Sequence, residues 1–152
     1  MTVRLLEPGD EALLMRLAEE DEEFGLEENA GPGVPLSEDD ALAYLADPAV
    51  LHWVAERDGR VLGHLLCHVL RRRQGAARHL LLYDIGVRAS ERRRGVGRSL
   101  IAALRDWMTH HGVGEVWVEV DPAAEAFYRA CGFVLDREQP IQMVLELPPR
   151  GG

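Results

Sequence analysis

Asp84-Ile85-Gly86-Val87-Arg88-Ala89-Ser90-Glu91-Arg92-Arg93-Arg94-Gly95-Val96-Gly97-Arg98 is the stretch whose reading decides the fold. The apolar run Leu80-Leu81-Leu82 leads into it and predicts a strand over 78–87, buried on both faces. Three consecutive arginines and two glycines then turn the chain. An amphipathic helix over 96–110 leaves the turn, with Val96, Leu100, Ile101, Leu104, Trp107 and Met108 on one face and His111-Gly112 as its stop. A glycine turn at a helix start leaves backbone N–H groups free where the helix dipole is positive, so the place suits a phosphate. Guanidinium forks match phosphate oxygens, and the three arginines strengthen that preference.

Upstream, two strand patterns over 50–56 and 60–70 flank Asp58-Gly59, the signature of a hairpin with a two-residue turn. Before the hairpin come a short strand over 3–7 and a helix over 10–17. An acidic run over 19–28 follows, too charged to pack well, and then a Gly/Pro loop over 31–35. Ser37, with Asp40 three residues on, caps a second helix that Asp47-Pro48 stops. Residues 71–77 form a basic loop containing Gly75. Downstream, 116–120 alternates strictly and predicts a strand. Asp121-Pro122 occupies the N-cap and N1 positions of a short helix that carries Glu125, Phe127 and Tyr128 and ends at Cys131-Gly132. Two closing strands are expected at 133–136 and 141–147, with a disordered tail at 148–152. The order is β α α β β β α β α β β. It predicts a single α/β (α+β) domain over 1–147, a mixed and mostly antiparallel sheet with helices on both faces.

Composition narrows the function classes. A chain of 152 residues, 47% apolar and 28% charged, matches one soluble globular domain. Its apolar runs are far short of a membrane span, and no secretory signal opens it. Cys67 and Cys131 lack metal-type or redox spacing and are expected as reduced thiols in a cytoplasmic protein. His64, His68, His79, His110 and His111 form no metal-ligand pattern, so no metal is expected. Charge is uneven: residues 1–50 hold Arg4 and Arg16 against fourteen acids, a net of −12, while the remainder is net +3. That split disfavours nucleic acid and would draw in a polycation, although acids also simply keep a surface soluble.

Two segments resemble one family. Arg92-Arg93-Arg94-Gly95-Val96-Gly97 fits the Gln/Arg-x-x-Gly-x-Gly/Ala signature of the GCN5-related N-acetyltransferases (GNAT), and it lies between the expected strand and helix. Asp121-Pro122-Ala123-Ala124-Glu125-Ala126-Phe127-Tyr128-Arg129-Ala130-Cys131-Gly132-Phe133 resembles the family's second signature, Asn-x-x-Ala-x-x-Phe-Tyr-x-x-x-Gly-Phe. The resemblance runs over essentially the whole chain, residues 3–147. It implies transfer of acetyl from acetyl-coenzyme A to a primary amine by direct attack in a ternary complex. Arg92, Arg93, Arg94, Gly95, Val96, Gly97, Arg98 and Ser99 would hold the pyrophosphate, mostly through backbone N–H groups. Ile85, Gly86 and Val87 would pair with the pantetheine arm, and a backbone N–H there would polarise the thioester carbonyl. Tyr128 matches the tyrosine that protonates the departing thiolate, and Asp121 and Ala124 complete the cofactor side of that motif. Asp121 departs from the usual Asn: it can cap the helix but cannot donate as an amide does.

The amine must lose a proton, because an ammonium near pKa 10 is almost wholly charged at neutral pH. Asp84, just before the strand end, is the first candidate base, Glu119 on the neighbouring strand the second, and a water chain the third. The run Tyr83-Asp84-Ile85-Gly86-Val87, with Asp121-Pro122-Ala123 before Phe127-Tyr128 and the Glu23-Phe24-Gly25 patch, is most similar to type I aminoglycoside 3-N-acetyltransferases. The resemblance thus implies a cationic amine as partner, antibiotic resistance as role, and a possible homodimer. It leaves open another polyamine, a protein amine, or a non-catalytic acyl-coenzyme A sensor. Arg71-Arg72-Arg73 reads as a solvated loop, with contact to the coenzyme's 3′-phosphate as the alternative.

Overall fold

The computed structural model describes residues 1–25, 35–73 and 78–150. Residues 26–34 of the acidic run and its loop, residues 74–77 of the basic loop, and Gly151 and Gly152 of the expected tail lie outside the described residues. The chain groups into two compact units, Met1–Glu119 and Val120–Gly152.

The first unit holds one sheet in the order β1-β2-β3-β4-β5. Its strands are β1 (Thr2–Leu5), β2 (Val50–Arg57), β3 (Arg60–Arg71), β4 (Arg78–Val87) and β5 (Val116–Val118). All neighbours pair antiparallel except β4 with β5, which run parallel. The hairpin turn is as read: Asp58 (φ 53°) and Gly59 (φ 77°) take the two left-handed positions that match strand twist in a two-residue turn.

Helices cover both faces. The helix α1 (Glu11–Glu19) and the helix α2 (Glu38–Ala46), capped by Ser37 Oγ accepting from the Asp40 N–H at 3.1 Å, lie on one face. There Leu6, Leu14, Leu17, Phe24, Ala41 and Val54 form a buried cluster. The other face receives α3 (Val96–His111), whose Val96, Leu100, Ile101 and Leu104 are buried as the period predicts. Trp107 of α3 meets Trp53 edge-on at 6.4 Å. Gly63 permits that approach, since a Cβ there would stand 2.9 Å from Val96 Cγ1 and from the Gly86 carbonyl. Gly112 (φ 65°) ends α3 in a left-handed cap.

Two irregularities in the sheet decide which side chains share a face. Near the turn β2 and β3 pair as Arg57↔Arg60 and Glu56↔Val61, but beyond it as Ala55↔Gly63 and Val54↔His64. The slip of one residue places His64 on the face of His52, where an unbroken register would put it opposite. A second slip, between Leu66↔Asp84 and Cys67↔Leu82, makes Tyr83 the extra residue of β4 and turns Asp84 and Gly86 onto the His64 face.

Of the acidic run, residues 19–23 are exposed, as a stretch too charged to pack well should be, but the described part is tied down. A single 3₁₀ turn at Asp21–Glu23 follows α1, and Phe24 is buried behind it. Arg88, itself buried at the end of β4, pairs with Glu20 at 2.8 Å and with Glu23, donates to the Val61 carbonyl at 3.0 Å, and lies over the Phe24 ring at 4.7 Å. The acids there have a buried cation to face.

In the second unit Asp121 caps as read, accepting from the Ala123 N–H at 3.0 Å with Pro122 at the first helical position. The helix opens as a 3₁₀ turn, Pro122–Ala124, and continues as α4, Glu125–Ala130. The two closing strands do not form: residues 133–150 carry no strand, only a turn in which the Gln139 N–H meets the Asp136 carbonyl at 3.2 Å. Alternating apolar residues create a strand only where a neighbour supplies a ladder, and one short helix offers none. β5 likewise stops at Val118, so Glu119 and Val120 lie outside it. Cys67 and Cys131 are free. Among the described residues no helix is long and apolar enough to cross a membrane.

Candidate active site

The turn between β4 and α3 has the geometry of an anion cradle. Arg93 (φ 62°) and Gly95 (φ 82°) both take left-handed backbone, and Gly95 is the N-cap of α3. Among the described residues no side chain caps that helix start, and its first capping bond is the Ser99 N–H to the Gly95 carbonyl at 3.0 Å. The N–H groups of Val96, Gly97 and Arg98 are thereby directed beyond the helix end at its positive pole, the arrangement that binds phosphates. Val96 and Gly97 are buried, whereas Arg93, Arg94, Gly95 and Arg98 are exposed. Arg94 stands 3.7 Å from Glu91, a buried acid also 3.6 Å from Arg57. Arg92 braces the strand end instead, its guanidinium donating to the carbonyls of Val87 and Gly25, both at 3.2 Å.

Next to the cradle, β4 offers a strand edge. Among the described residues its pairing with β5 covers Leu80, Leu81 and Leu82 only, while its ladder with β3 continues to Val87. From Tyr83 to Val87 one edge of β4 therefore keeps its hydrogen-bonding groups for an extended ligand, the way strand addition works. Ile85, Gly86 and Val87 lie on that edge. Gly86 is required where it is: a Cβ would come within 2.9 Å of Phe24 Cβ and of the Phe24 carbonyl, and 3.0 Å from His64 Nε2. The cradle and the edge together fit a ligand with a pyrophosphate and an extended amide arm.

Asp84 stands two residues before Gly86 on the face covered by α1 and α2, and its side chain is half exposed. His64, only 4% exposed, points Nε2 at Asp84 Oδ2 from 3.8 Å. Asp21, brought in by the 3₁₀ turn, completes a group in which one atom each of Asp21, His64 and Asp84 lie within 4.8 Å of one another. Behind His64, its Nδ1 meets His52 Nε2 at 3.1 Å, and His52 Nδ1 meets the Tyr44 hydroxyl at 2.9 Å. Burial, with the charges of His64 and His68, pushes His52 down to about 3, and burial likewise lowers His64 against the pull of Asp84 and Asp21. Both rings are neutral at pH 7. Burial and the Asp84 charge raise Tyr44 to about 12, so its hydroxyl keeps its proton.

Glu119 is exposed one residue beyond Val118, which pairs with Leu82. Because β4 and β5 are parallel and Val118 pairs with Leu82, Glu119 follows β5 toward the end of the sheet at which Asp84 lies within β4. In the second unit, Tyr128 is buried between the rings of Phe127 and Phe133, at 5.3 Å and 5.2 Å. Phe133 closes that cluster through its N–H on the Tyr128 carbonyl at 3.0 Å. Asp121 is exposed at its cap and Ala124 is half-buried.

Reading the sequence alone missed Asp21, Tyr44, His52 and Arg88. His52 and His64 carry a signal, two histidines on paired strands, but the one-residue slip that aligns them leaves no mark in residue spacing. Arg88 is hidden because its partner Glu20 lies 68 residues away in a run that reads as solvated.

Comparisons with known proteins agree with this fold. The model of the "Acetyltransferase (GNAT) family" matches residues 14–133. Among solved structures, an aminoglycoside acetyltransferase from an uncultured soil metagenomic sample, in complex with sisomicin, superposes with a TM-score of 0.83 at 21% identity, over 97% of this chain and 96% of that one. An acetyltransferase from Trypanosoma brucei gives 0.71 at 24% identity, over 96% and 99%. A ribosomal-protein-alanine N-acetyltransferase from Brucella melitensis biovar Abortus 2308 gives 0.70 at 17% identity, over 97% and 100%. No curated protein matches the sequence. Identities this low carry the fold alone, but the family match spans most of the chain, including the turn between β4 and α3, and makes this protein a member of the GNAT acetyltransferase family.

Proposed function

We propose that the protein transfers acetyl from acetyl-coenzyme A to a primary amine of a cationic acceptor, an aminoglycoside first of all, at its 3-amino group. The observation that carries the reading is the Asp84–Asp21 carboxylate pair beside the open edge of β4. An ammonium would sit between the two acids, within reach of the edge that suits the acyl arm. In this reading residues 1–147 act as one catalytic domain in the cytoplasm, and two copies form a homodimer.

When bound, acetyl-coenzyme A supplies an activated acetyl thioester. The chain's own groups do the rest. N–H groups of residues 93–98 hold the pyrophosphate, and those of Ile85 to Val87 hold the arm and donate to the thioester oxygen as charge develops on it. Asp84 takes the amine proton, with Glu119 as the alternative acceptor at the same end of the sheet. Tyr128 gives a proton to the departing sulfur. Positioning the amine against the carbonyl supplies most of the acceleration.

Thiol release from acetyl-coenzyme A, measured over a panel of aminoglycosides, linear polyamines and N-terminal peptides, tests the reading. Turnover concentrated on aminoglycosides supports it. Selective turnover of another polyamine or a peptide keeps the chemistry and replaces the acceptor. Tight coenzyme binding without turnover of any amine makes the protein a sensor instead.

A further inference from the structure

Tyr44, His52 and His64 stand in series beneath α2 and end at Asp84, at 2.9 Å, 3.1 Å and 3.8 Å between successive polar atoms. With both rings neutral, each of the two hydrogen bonds, Tyr44 to His52 and His52 to His64, needs one hydrogen and one lone pair, and two orderings satisfy both. In the first, the Tyr44 hydroxyl donates to His52 Nδ1, the His52 Nε2–H donates to His64 Nδ1, and the His64 Nε2–H faces Asp84. In the second every hydrogen is reversed, and His64 turns a lone pair toward the acids.

The surroundings choose between them. His64 is faced by Asp84 from β4, Asp21 from the 3₁₀ turn and His52 from β2; Phe24 meets its ring edge-on at 5.4 Å, with Arg88 over the Phe24 ring at 4.7 Å. Tyr44 from α2 and His68 from β3 act on His52. A lone pair set against two carboxylates is repelled, whereas an N–H is attracted, and the low local polarity enlarges the difference.

We propose that Tyr44 and His52 are positioning residues that lock His64 as an Nε2–H donor toward Asp84, building the Asp21–Asp84 pair into a site for an ammonium rather than a metal ion. The inference rests on the reading of Asp84 as the group that receives the amine proton. With the His64 Nε2–H facing one of its oxygens from 3.8 Å, Asp84 keeps its other oxygen for the amine.

Spacing agrees. Donor atoms around a first-row metal ion with bonds of about 2.1 Å stand roughly 3.4 Å apart in tetrahedral geometry. Two oxygens hydrogen-bonded to one ammonium at about 2.8 Å stand roughly 4.6 Å apart. The Asp21, His64 and Asp84 atoms lie within 4.8 Å of one another, wide enough for the ammonium figure, and His64 Nε2 stands 3.8 Å from Asp84 Oδ2, beyond the metal figure. A metal would also need the His64 Nε2 lone pair, and so the reversal of every hydrogen back to Tyr44.

Long-range ¹H–¹⁵N correlation of the imidazoles in the full-length protein reads the lock directly between pH 6 and 8. Both His52 and His64 are expected as neutral Nε2–H tautomers, undisturbed by equimolar Zn²⁺. In Tyr44→Phe, His52 Nδ1 loses its donor, so His64 should drift toward a tautomer mixture. The variant's kcat should fall about fivefold, the effect of one lost neutral hydrogen bond, with KM for acetyl-coenzyme A unchanged. A His64 Nδ1–H tautomer in the wild type, a His64 tautomer untouched by Tyr44→Phe, or Zn²⁺ ligation at Nε2 would each overturn the lock. Should Tyr44→Phe not fold, the wild-type tautomer and the Zn²⁺ titration still decide it. Asp84→Asn separates the two readings: full turnover in that variant removes Asp84 as the proton acceptor, while the tautomer signals judge the lock without reference to turnover.

Discussion

At the scale of single residues, burial makes His52 a sensor of acid. Its folded pKa, about 3, lies below the 6.5 of an exposed histidine, so between those values the unfolded chain binds the extra proton. Stability is therefore fully present above pH 6.5 and falls as pH drops, by roughly 1.4 kcal/mol per pH unit from this one group. His64, lowered in the same direction, adds to the slope. Urea melts at pH 6.5 and 5.0 should differ by about 2 kcal/mol or more, and His52→Gln should flatten the dependence by about one proton. Tyr128, proposed as the donor to the leaving sulfur, is ring-packed on both sides, so Tyr128→Phe keeps the cluster and removes only the hydroxyl. Its turnover should fall by about 10²-fold or more with coenzyme affinity nearly unchanged, compared by steady-state kinetics and equilibrium binding.

At the scale of elements, the 3₁₀ turn and Phe24 stay on the sheet because Arg88 holds them, through Glu20, Glu23 and the Phe24 ring. Arg88→Met keeps much of the stem's packing but leaves the Val61 carbonyl without its donor and the acids without their cation. Denaturation should show a loss of about 1–3 kcal/mol. Since the same turn carries Asp21, KM for the amine should rise more than KM for acetyl-coenzyme A. The start of α3 tests the cradle. Gly97 is buried at the second helical position, where a glutamate adds bulk and a negative charge among the N–H groups proposed to hold phosphate. Gly97→Glu should abolish coenzyme binding by calorimetry while far-ultraviolet circular dichroism stays that of the wild type.

At the scale of the whole molecule, the net charge of −12 in residues 1–50 sets the field. α1, the 3₁₀ turn with Asp21 and the first turn of α2 all come from that half, on the face that also bears Asp84. A polycationic acceptor should feel this more than a single amine does. Raising NaCl from about 50 mM to 500 mM shortens the Debye length from roughly 14 Å to 4 Å. KM for a polycation should then rise several-fold more than KM for a monoamine in the same assay; parallel changes would refute electrostatic capture.

Local chemistry by itself determined much of this protein. The apolar run of β4, the glycines after three arginines and the period of α3 fix strand, turn and helix, because each depends on residues within a few positions. The Asp58-Gly59 turn and the Ser37 and Asp121 caps follow for the same reason. Only the tertiary structure decided what gathers at Asp84. Two one-residue slips in the sheet put His52, His64 and Asp84 on one face, and a slip alters pairing without altering composition. Arg88 gave the acidic run a reason to fold back, through contacts across 68 residues that no local pattern records. Residues 133–136 and 141–147 show the converse, since they read as closing strands and only a neighbouring ladder could make them.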